Sequence, residues 1–233
     1  KADFSFLSVG DWGASAISEE FKVKQNAVAL QMERWAEKND AKFVLNTGDN
    51  FYWCGIQNSS DFQVEVDFVD VYNSKDALRV PWFSSLGNHE YAYNVTAELM
   101  LREERDDMKN WILPSRYYSR RIPLAKGQFM SLIVLDTSPC VSDYRSTDQN
   151  EWDPCSEYYP TCSPGASDDD FEGECLFHDN IMSQNCPAPF VWFNEELSKV
   201  DTNDWLFIMG HHPADELDVE DFYGSMTGHG KDV

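Results

Sequence analysis

Phe4-Ser5-Phe6-Leu7-Ser8-Val9-Gly10-Asp11-Trp12-Gly13 is an apolar, strand-like run followed directly by a hard metal-ligand or acid/base side chain, and that pattern recurs three more times along the chain. Phe43 to Leu45 leads into Gly48-Asp49-Asn50-Phe51-Tyr52. Trp82 to Leu86 leads into Gly87-Asn88-His89-Glu90, and Trp205 to Met209 into Gly210-His211-His212-Pro213. In an open α/β sheet, chemistry collects in the crevice beyond the carboxyl ends of the strands. Four such ends converging predict a single site built of hard oxygen and imidazole donors.

Between these runs the pattern is helical. Phe21, Val28, Met32 and Trp35 share one face of a helix expected over residues 19–38, with charged residues between them. Residues 62–72 read as helix, residues 96–111 as a charged helix stopped by Pro114, and residues 190–199 as a further helix. Arg116 to Ile122 and Gln128 to Leu135 read as neighbouring antiparallel strands. Alternating strands and helices define an α/β architecture. The 233 residues, with no Gly/Ser- or Pro-rich linker, read as one domain covering 1–233.

Acidic residues outnumber basic ones 41 to 18, a net charge of −23, so the field at neutral pH repels nucleic acid and anionic lipid. No apolar stretch approaches the roughly 20 residues of a membrane span. Much of the charge sits in an acidic, cysteine-rich insertion at 138–187: eleven Asp or Glu lie between Cys140 and Cys186, against Arg145 alone. Two readings of the insertion stand side by side, a disulfide-anchored lid that selects substrate and a solvated acidic decoration. Its run Asp168-Asp169-Asp170 with Glu172 and Glu174 lacks the spacing and glycine of an EF-hand loop.

Five of the six cysteines (Cys140, Cys155, Cys162, Cys175, Cys186) fall in the insertion, and none forms a zinc-type pair. Six cysteines allow about fifteen pairings. An odd number in the insertion makes Cys54 the natural sixth partner, tying the insertion to the loop of Tyr52. The sequons at Asn58 and Asn94 agree with an oxidising, secretory setting, and the start at Lys1 without initiator Met or leader reads as a processed form. A secreted, lysosome-like or cell-surface location is expected.

Each motif residue also has an ordinary reading. An Asp after a strand commonly caps a helix or turns the chain, a Tyr packs, and a His hydrogen-bonds at the surface. The conjunction of four segments, in order and each at a strand end, is what those readings do not explain. Asp11, Asp49, Tyr52, Asn88 and His211 supply donors for two adjacent metal ions, with Asp49 able to bridge both. A hard trivalent ion suits Asp11, Asp49 and a Tyr52 phenolate, and a softer divalent ion suits Asn88 and His211. His89 is placed to bond a phosphate oxygen or protonate a leaving alcohol.

In order and wording these four segments resemble the purple acid phosphatases, nearest the small tartrate-resistant type. The similarity extends to Val80-Pro81-Trp82 and Asn94-Val95-Thr96 and covers most of the chain outside 138–187. The broader metallophosphoesterase superfamily has a His two residues after the first Asp; this chain has Gly13 there and adds Tyr52, the pattern of the purple type. The resemblance implies a β-sandwich of two mixed sheets flanked by helices (αββα). It implies Fe(III) held by Asp11, Asp49 and Tyr52, a divalent Fe, Zn or Mn held by Asp49, Asn88 and His211, and a metal-bound hydroxide attacking phosphomonoesters with His89 as the acid.

It also implies a downstream Gly-His-x-His segment giving one His to each metal, which would lie beyond Val233 or on a second chain, so the 233 residues read as an amino-terminal portion. Gly228-His229-Gly230 resembles the loop before that segment, which places His229, with His212, on the substrate side. The competing expectation is a catalytically degenerate phosphatase fold serving as an acidic, disulfide-stapled structural or binding protein.

Overall fold

The computed structural model describes residues 4–146, 152–156, 162 and 173–213. Four strands, β1 (Leu7–Val9), β2 (Val44–Asn46), β3 (Trp82–Ser84) and β4 (Trp111–Ile112), pair in that order, and every pairing is parallel. A parallel sheet is covered on both faces, so its central strands carry apolar side chains on both, as Val44 and Leu45 of β2 and Trp82 and Phe83 of β3 do. On one face Trp82 and Trp111 meet Trp12, Phe68 and Tyr72 with ring centroids 4.9–6.4 Å apart. On the other, Phe6, Phe43 and Phe83 form a row that reaches Phe207 of the second sheet.

That second sheet is mixed. β5 (Tyr118–Pro123) runs antiparallel to β6 (Phe129–Val134), which pairs in parallel with β7 (Trp205–Met209). Along β6 the side chains alternate between two cores. Met130, Leu132 and Val134 join the core shared with the first sheet, while Ile133 and Leu135 pack under Phe190 and Phe193 of helix α5 (Pro187–Leu197). With helix α1 (Glu19–Asn39) contributing Ala29, Met32 and Ala36 to the shared core, the layers are helix, sheet, sheet, helix. The mixed character expected of both sheets holds for the second; the first is parallel among the described residues.

Two expectations differ from the structure. Helix α1 begins at the Ser18 cap and buries Gln25, Ala29, Met32 and Ala36, whereas Phe21, Val28 and Trp35 are exposed. The helix is turned because Gln25 is its anchor: its amide donates to the Asp67 carbonyl (2.9 Å) and its oxygen accepts from the Ala14 amide (3.3 Å). Small alanines on the same face then let the helix approach closely. Helix α2 (Val95–Glu104) is also shorter than the charged pattern implies. The aromatic cluster takes Trp111 into β4, and Arg105, paired with Glu65 and Asp107, closes the helix through its amide to the Leu101 carbonyl.

The π-helix Val64–Asn73 carries a buried carboxylate, Asp67. Its Oδ1 accepts the Ala16 amide (2.9 Å), and its Oδ2 has no hydrogen-bond partner among the described residues. Burial pushes its pKa up to about 7. A carboxyl whose folded pKa is raised withdraws stability as pH climbs from the unfolded value of 3.8 to the folded one, here to about 7. Asp67→Asn is therefore expected to be more stable than the native chain, with an advantage that grows by about 2–3 kcal/mol between pH 5 and pH 8. Thermal unfolding of both proteins at the two pH values checks this, and an advantage independent of pH would refute it.

Candidate metal centre

All four motif loops leave the carboxyl ends of β1, β2, β3 and β7 on one edge of the sandwich. The turn after β2 requires left-handed backbone: Gly48 has φ +96° and Asp49 φ +51°. A Cβ on Gly48 would stand 2.7 Å from the Gly87 nitrogen, so the β2 and β3 loops touch through glycine. Asp11, also left-handed (φ +56°), is held by its amide to the Gly48 carbonyl at 3.0 Å.

These loops bring donors from four motifs together. Ligand atoms of Asp11, Asp49 and His211 lie within 4.8 Å of one another. The Tyr52 hydroxyl donates to Asp49 Oδ2 (2.8 Å) and lies 3.1 Å from Asp11 Oδ1. His211 Nε2 stands 3.4 Å from Asp49 Oδ2 and 3.1 Å from Asn88 Oδ1. The other ring nitrogen, Nδ1, faces the Thr47 carbonyl at 3.0 Å, which orients Nε2 toward the carboxylates in the manner of a metal-ligating histidine.

His89 is held in a similar way. Its Nδ1 meets the Trp53 carbonyl at 2.5 Å, its amide donates to Asp49 Oδ1 at 3.1 Å, and its Nε2 faces Asp49 Oδ2 at 3.8 Å.

Electrostatics favour a cation here. Among the described residues neither Asp11 nor Asp49 is paired with Lys or Arg. Burial opposes ionisation of Asp49, yet the adjoining His211 and His89 hold its pKa down to about 2. Burial pulls His211 down, and its bond to Asp49 more than reverses this, to about 9. Tyr52 is driven well above the ordinary phenol range by burial and by the two carboxylates. A multiply charged ion would invert that balance, because it replaces the repulsion around the phenolate with attraction. Gly13 fits the same set: a Cβ there would overlap the backbone of Asn50, so this chain has no room for a side chain at 13. The donor set present therefore suits metal ions.

Several supporting groups carry no sequence signal of their own. Glu90, fully buried, accepts the amides of Asp49 (3.1 Å), Asn50 (2.6 Å), Phe51 (3.3 Å) and Gly87 (2.5 Å), and so fixes two ligand loops at once. Beneath it Trp12, Asn46, Asn50, Ser84 and Glu98 form a buried polar chain with links of 2.6–3.0 Å. His212, expected on the substrate side, has both ring nitrogens engaged, by the hydroxyls of Thr137 (2.8 Å) and Tyr144 (3.2 Å). His229 and the acidic run 168–172 lie outside the described residues. The disulfides are Cys54–Cys162, Cys140–Cys186 and Cys155–Cys175, so Cys54 is the partner from outside the insertion. Asn58 and Asn94 are both exposed.

Residues 4–231 match the calcineurin-like phosphoesterase family, and the chain belongs to it. Purple acid phosphatase 3 of Arabidopsis thaliana is 37% identical over 142 residues, 60% of this chain and 35% of that protein. Tartrate-resistant acid phosphatase type 5 of Mus musculus is 30% identical over 133 residues, 57% of this chain and 40% of its own length. The matched stretches thus span well under half of these relatives. Among solved structures, a dimetal phosphatase from Danio rerio superposes with a TM-score of 0.53 at 14% identity, covering 98% of this chain and 78% of that one. GAP50, "the anchor in the inner membrane complex of Plasmodium", gives 0.55 at 18% identity, with coverage of 87% and 53%. Membership of this family carries with it a dinuclear metal centre.

Proposed function

We propose that this protein is a metal-dependent acid phosphatase acting on phosphomonoesters at an Fe(III)–M(II) centre, M being Fe, Zn or Mn. The observation that carries the reading is the convergence of Asp11, Asp49, Tyr52, Asn88 and His211, from four separate loops, on one point. Asp11, Asp49 and Tyr52 would hold the trivalent ion, and Asp49, Asn88 and His211 the divalent one. When bound, such a pair lowers the pKa of water and clamps phosphoryl oxygens. The chain's own groups then orient the ester. His89, with Nδ1 committed to the Trp53 carbonyl, presents Nε2 to the site, where it can bond a phosphoryl oxygen and give a proton to the departing alkoxide.

Three disulfides support an oxidising, secretory location, and the exposed sequons support glycosylation at Asn58 and Asn94. Among the described residues no helix is long and apolar enough to cross a membrane. The surplus of acidic groups is partly neutralised at low pH, which weakens repulsion of an anionic substrate there.

A second reading, a binding or anchoring protein without activity, is favoured by the fold's likeness to GAP50, whose description names it an anchor. The test is the visible absorption spectrum of the natively purified, mildly oxidised protein, recorded beside its hydrolysis of p-nitrophenyl phosphate. A purple tyrosinate-to-Fe(III) band that disappears in Tyr52→Phe, together with turnover, is expected. A colourless, folded protein without turnover would overturn the phosphatase reading.

A further inference from the structure

We propose that Tyr144 and Trp152, both in the cysteine-rich insertion, are positioning residues that hold His212 and His89 against the metal centre. The inference rests on the phosphatase reading for its kinetic consequence and on geometry alone for the placement.

Parts of the described insertion are packed into the protein, while Ser142, Asp143, Glu174, Asp179 and Met182 are exposed. Cys162, Phe177 and Ile181 are buried, and helix α4 (Phe177–Met182) clasps the chain just after His89: the Asn180 amide donates to the carbonyls of Tyr91 (2.9 Å) and Tyr93 (2.8 Å). The disulfides fasten it at three places. Cys54–Cys162 joins it directly behind Tyr52 and Trp53, Cys155–Cys175 ties the Trp152 segment to the approach of α4, and Cys140–Cys186 closes its base.

What this scaffold presents to the site is aromatic. The Trp152 ring lies 5.2 Å from the His89 ring, which also meets Tyr52 at 4.4 Å and Trp53 at 6.0 Å. Phe177 backs Trp152 at 5.0 Å and Tyr144 at 5.4 Å, so neither ring can retreat without displacing a buried phenyl group. His89 is therefore confined by the rings of Trp152, Tyr52 and Trp53 and by the Trp53 carbonyl at Nδ1, with Nε2 facing Asp49 Oδ2 at 3.8 Å.

The Tyr144 hydroxyl meets His212 Nε2, and Thr137 Oγ1 meets both the Nδ1 and the amide of His212 (2.8 and 3.2 Å). That grip fixes the backbone immediately after His211. A misplacement of about 1 Å in a reacting geometry costs on the order of 100-fold in rate, so these contacts matter although neither residue is a metal ligand or touches the ester.

The experiment uses the full-length protein loaded with zinc alone, which is diamagnetic, and labelled at histidine Cε1. Trp152→Ala is expected to move the His89 resonance by removing the indole ring current, and to lower kcat on p-nitrophenyl phosphate by about 10- to 100-fold with KM changed less than about threefold and zinc content unchanged. Trp152→Phe should restore most of kcat, because it keeps a ring beside His89. Tyr144→Phe should move the His212 resonance and leave that of His89 in place. Trp152→Leu, which preserves bulk without aromaticity, replaces Trp152→Ala if the latter does not fold. A His89 resonance and a kcat that stay unchanged without the indole would overturn the proposal. If the native protein hydrolyses nothing while the resonances move as stated, the phosphatase reading fails and the placement stands.

Discussion

Asp49→Ala is expected to abolish phosphomonoester hydrolysis, by at least about a thousandfold, and to strip the protein of bound metal. Asp49 is engaged by Tyr52, His211 and His89 together. Its Oδ2 receives the Tyr52 hydroxyl at 2.8 Å and faces His211 Nε2 at 3.4 Å, while its Oδ1 receives the His89 amide at 3.1 Å. Removing the carboxylate takes away a candidate metal ligand, releases the phenol from its orientation, and leaves the His89 amide without this acceptor. Asp49→Asn separates these effects, since an amide oxygen can still accept from His89 but supplies no charge. It should retain the fold and lose the metal. Elemental analysis with turnover measurements on both variants provides the check, and normal metal content with normal turnover in Asp49→Ala would remove the basis for the whole assignment.

Glu90→Ala should be the most destabilising substitution near the site, lowering stability by about 3–5 kcal/mol in the metal-free protein. The Glu90 carboxylate accepts four backbone amides, from Asp49, Asn50, Phe51 and Gly87, in a place without water access. Truncation leaves those donors unmatched inside the protein, where each costs about 1–3 kcal/mol less whatever the loops recover by relaxing. The loops concerned carry Asp49 and Asn88, so metal affinity should fall together with stability. Glu90→Gln, with one acceptor oxygen and one amide group facing donors, is expected between the native chain and alanine. Denaturant unfolding of the metal-free proteins measures the first effect and zinc titration the second. If Glu90→Ala unfolds at the native midpoint, the loops do not depend on this carboxylate.

Six of the seven strands were readable from the chain; β4 was not, because Trp111 reads as the end of the charged helix. β7 lies over Trp205–Met209 as read, and the pair β5 and β6 is antiparallel as read. Periodicity was less reliable where a polar side chain had a distant partner. Gln25 in α1 looks like an exposed position by composition, yet its bonds to Asp67 and Ala14 turn it inward and leave Phe21, Val28 and Trp35 outside. The charged pattern of α2 ran on past Glu104 for a related reason, since Trp111 is claimed by an aromatic cluster assembled from four other segments. Glu90 was quoted within its motif and given no role, for its acceptor function exists only once the β2 and β3 loops meet.

By itself, then, the sequence determined the α/β class, the positions of six strands and the kinds of side chain at their ends, because these follow from local alternation and from the chemistry of single side chains. Only the tertiary structure decided which cysteines pair, which face of α1 is buried, that Glu90 braces two ligand loops, and that the insertion sets Tyr144 and Trp152 against the site histidines. Those outcomes depend on hydrogen bonds, ring contacts and disulfides between residues 20 to 110 positions apart, about which a short window of sequence carries no information.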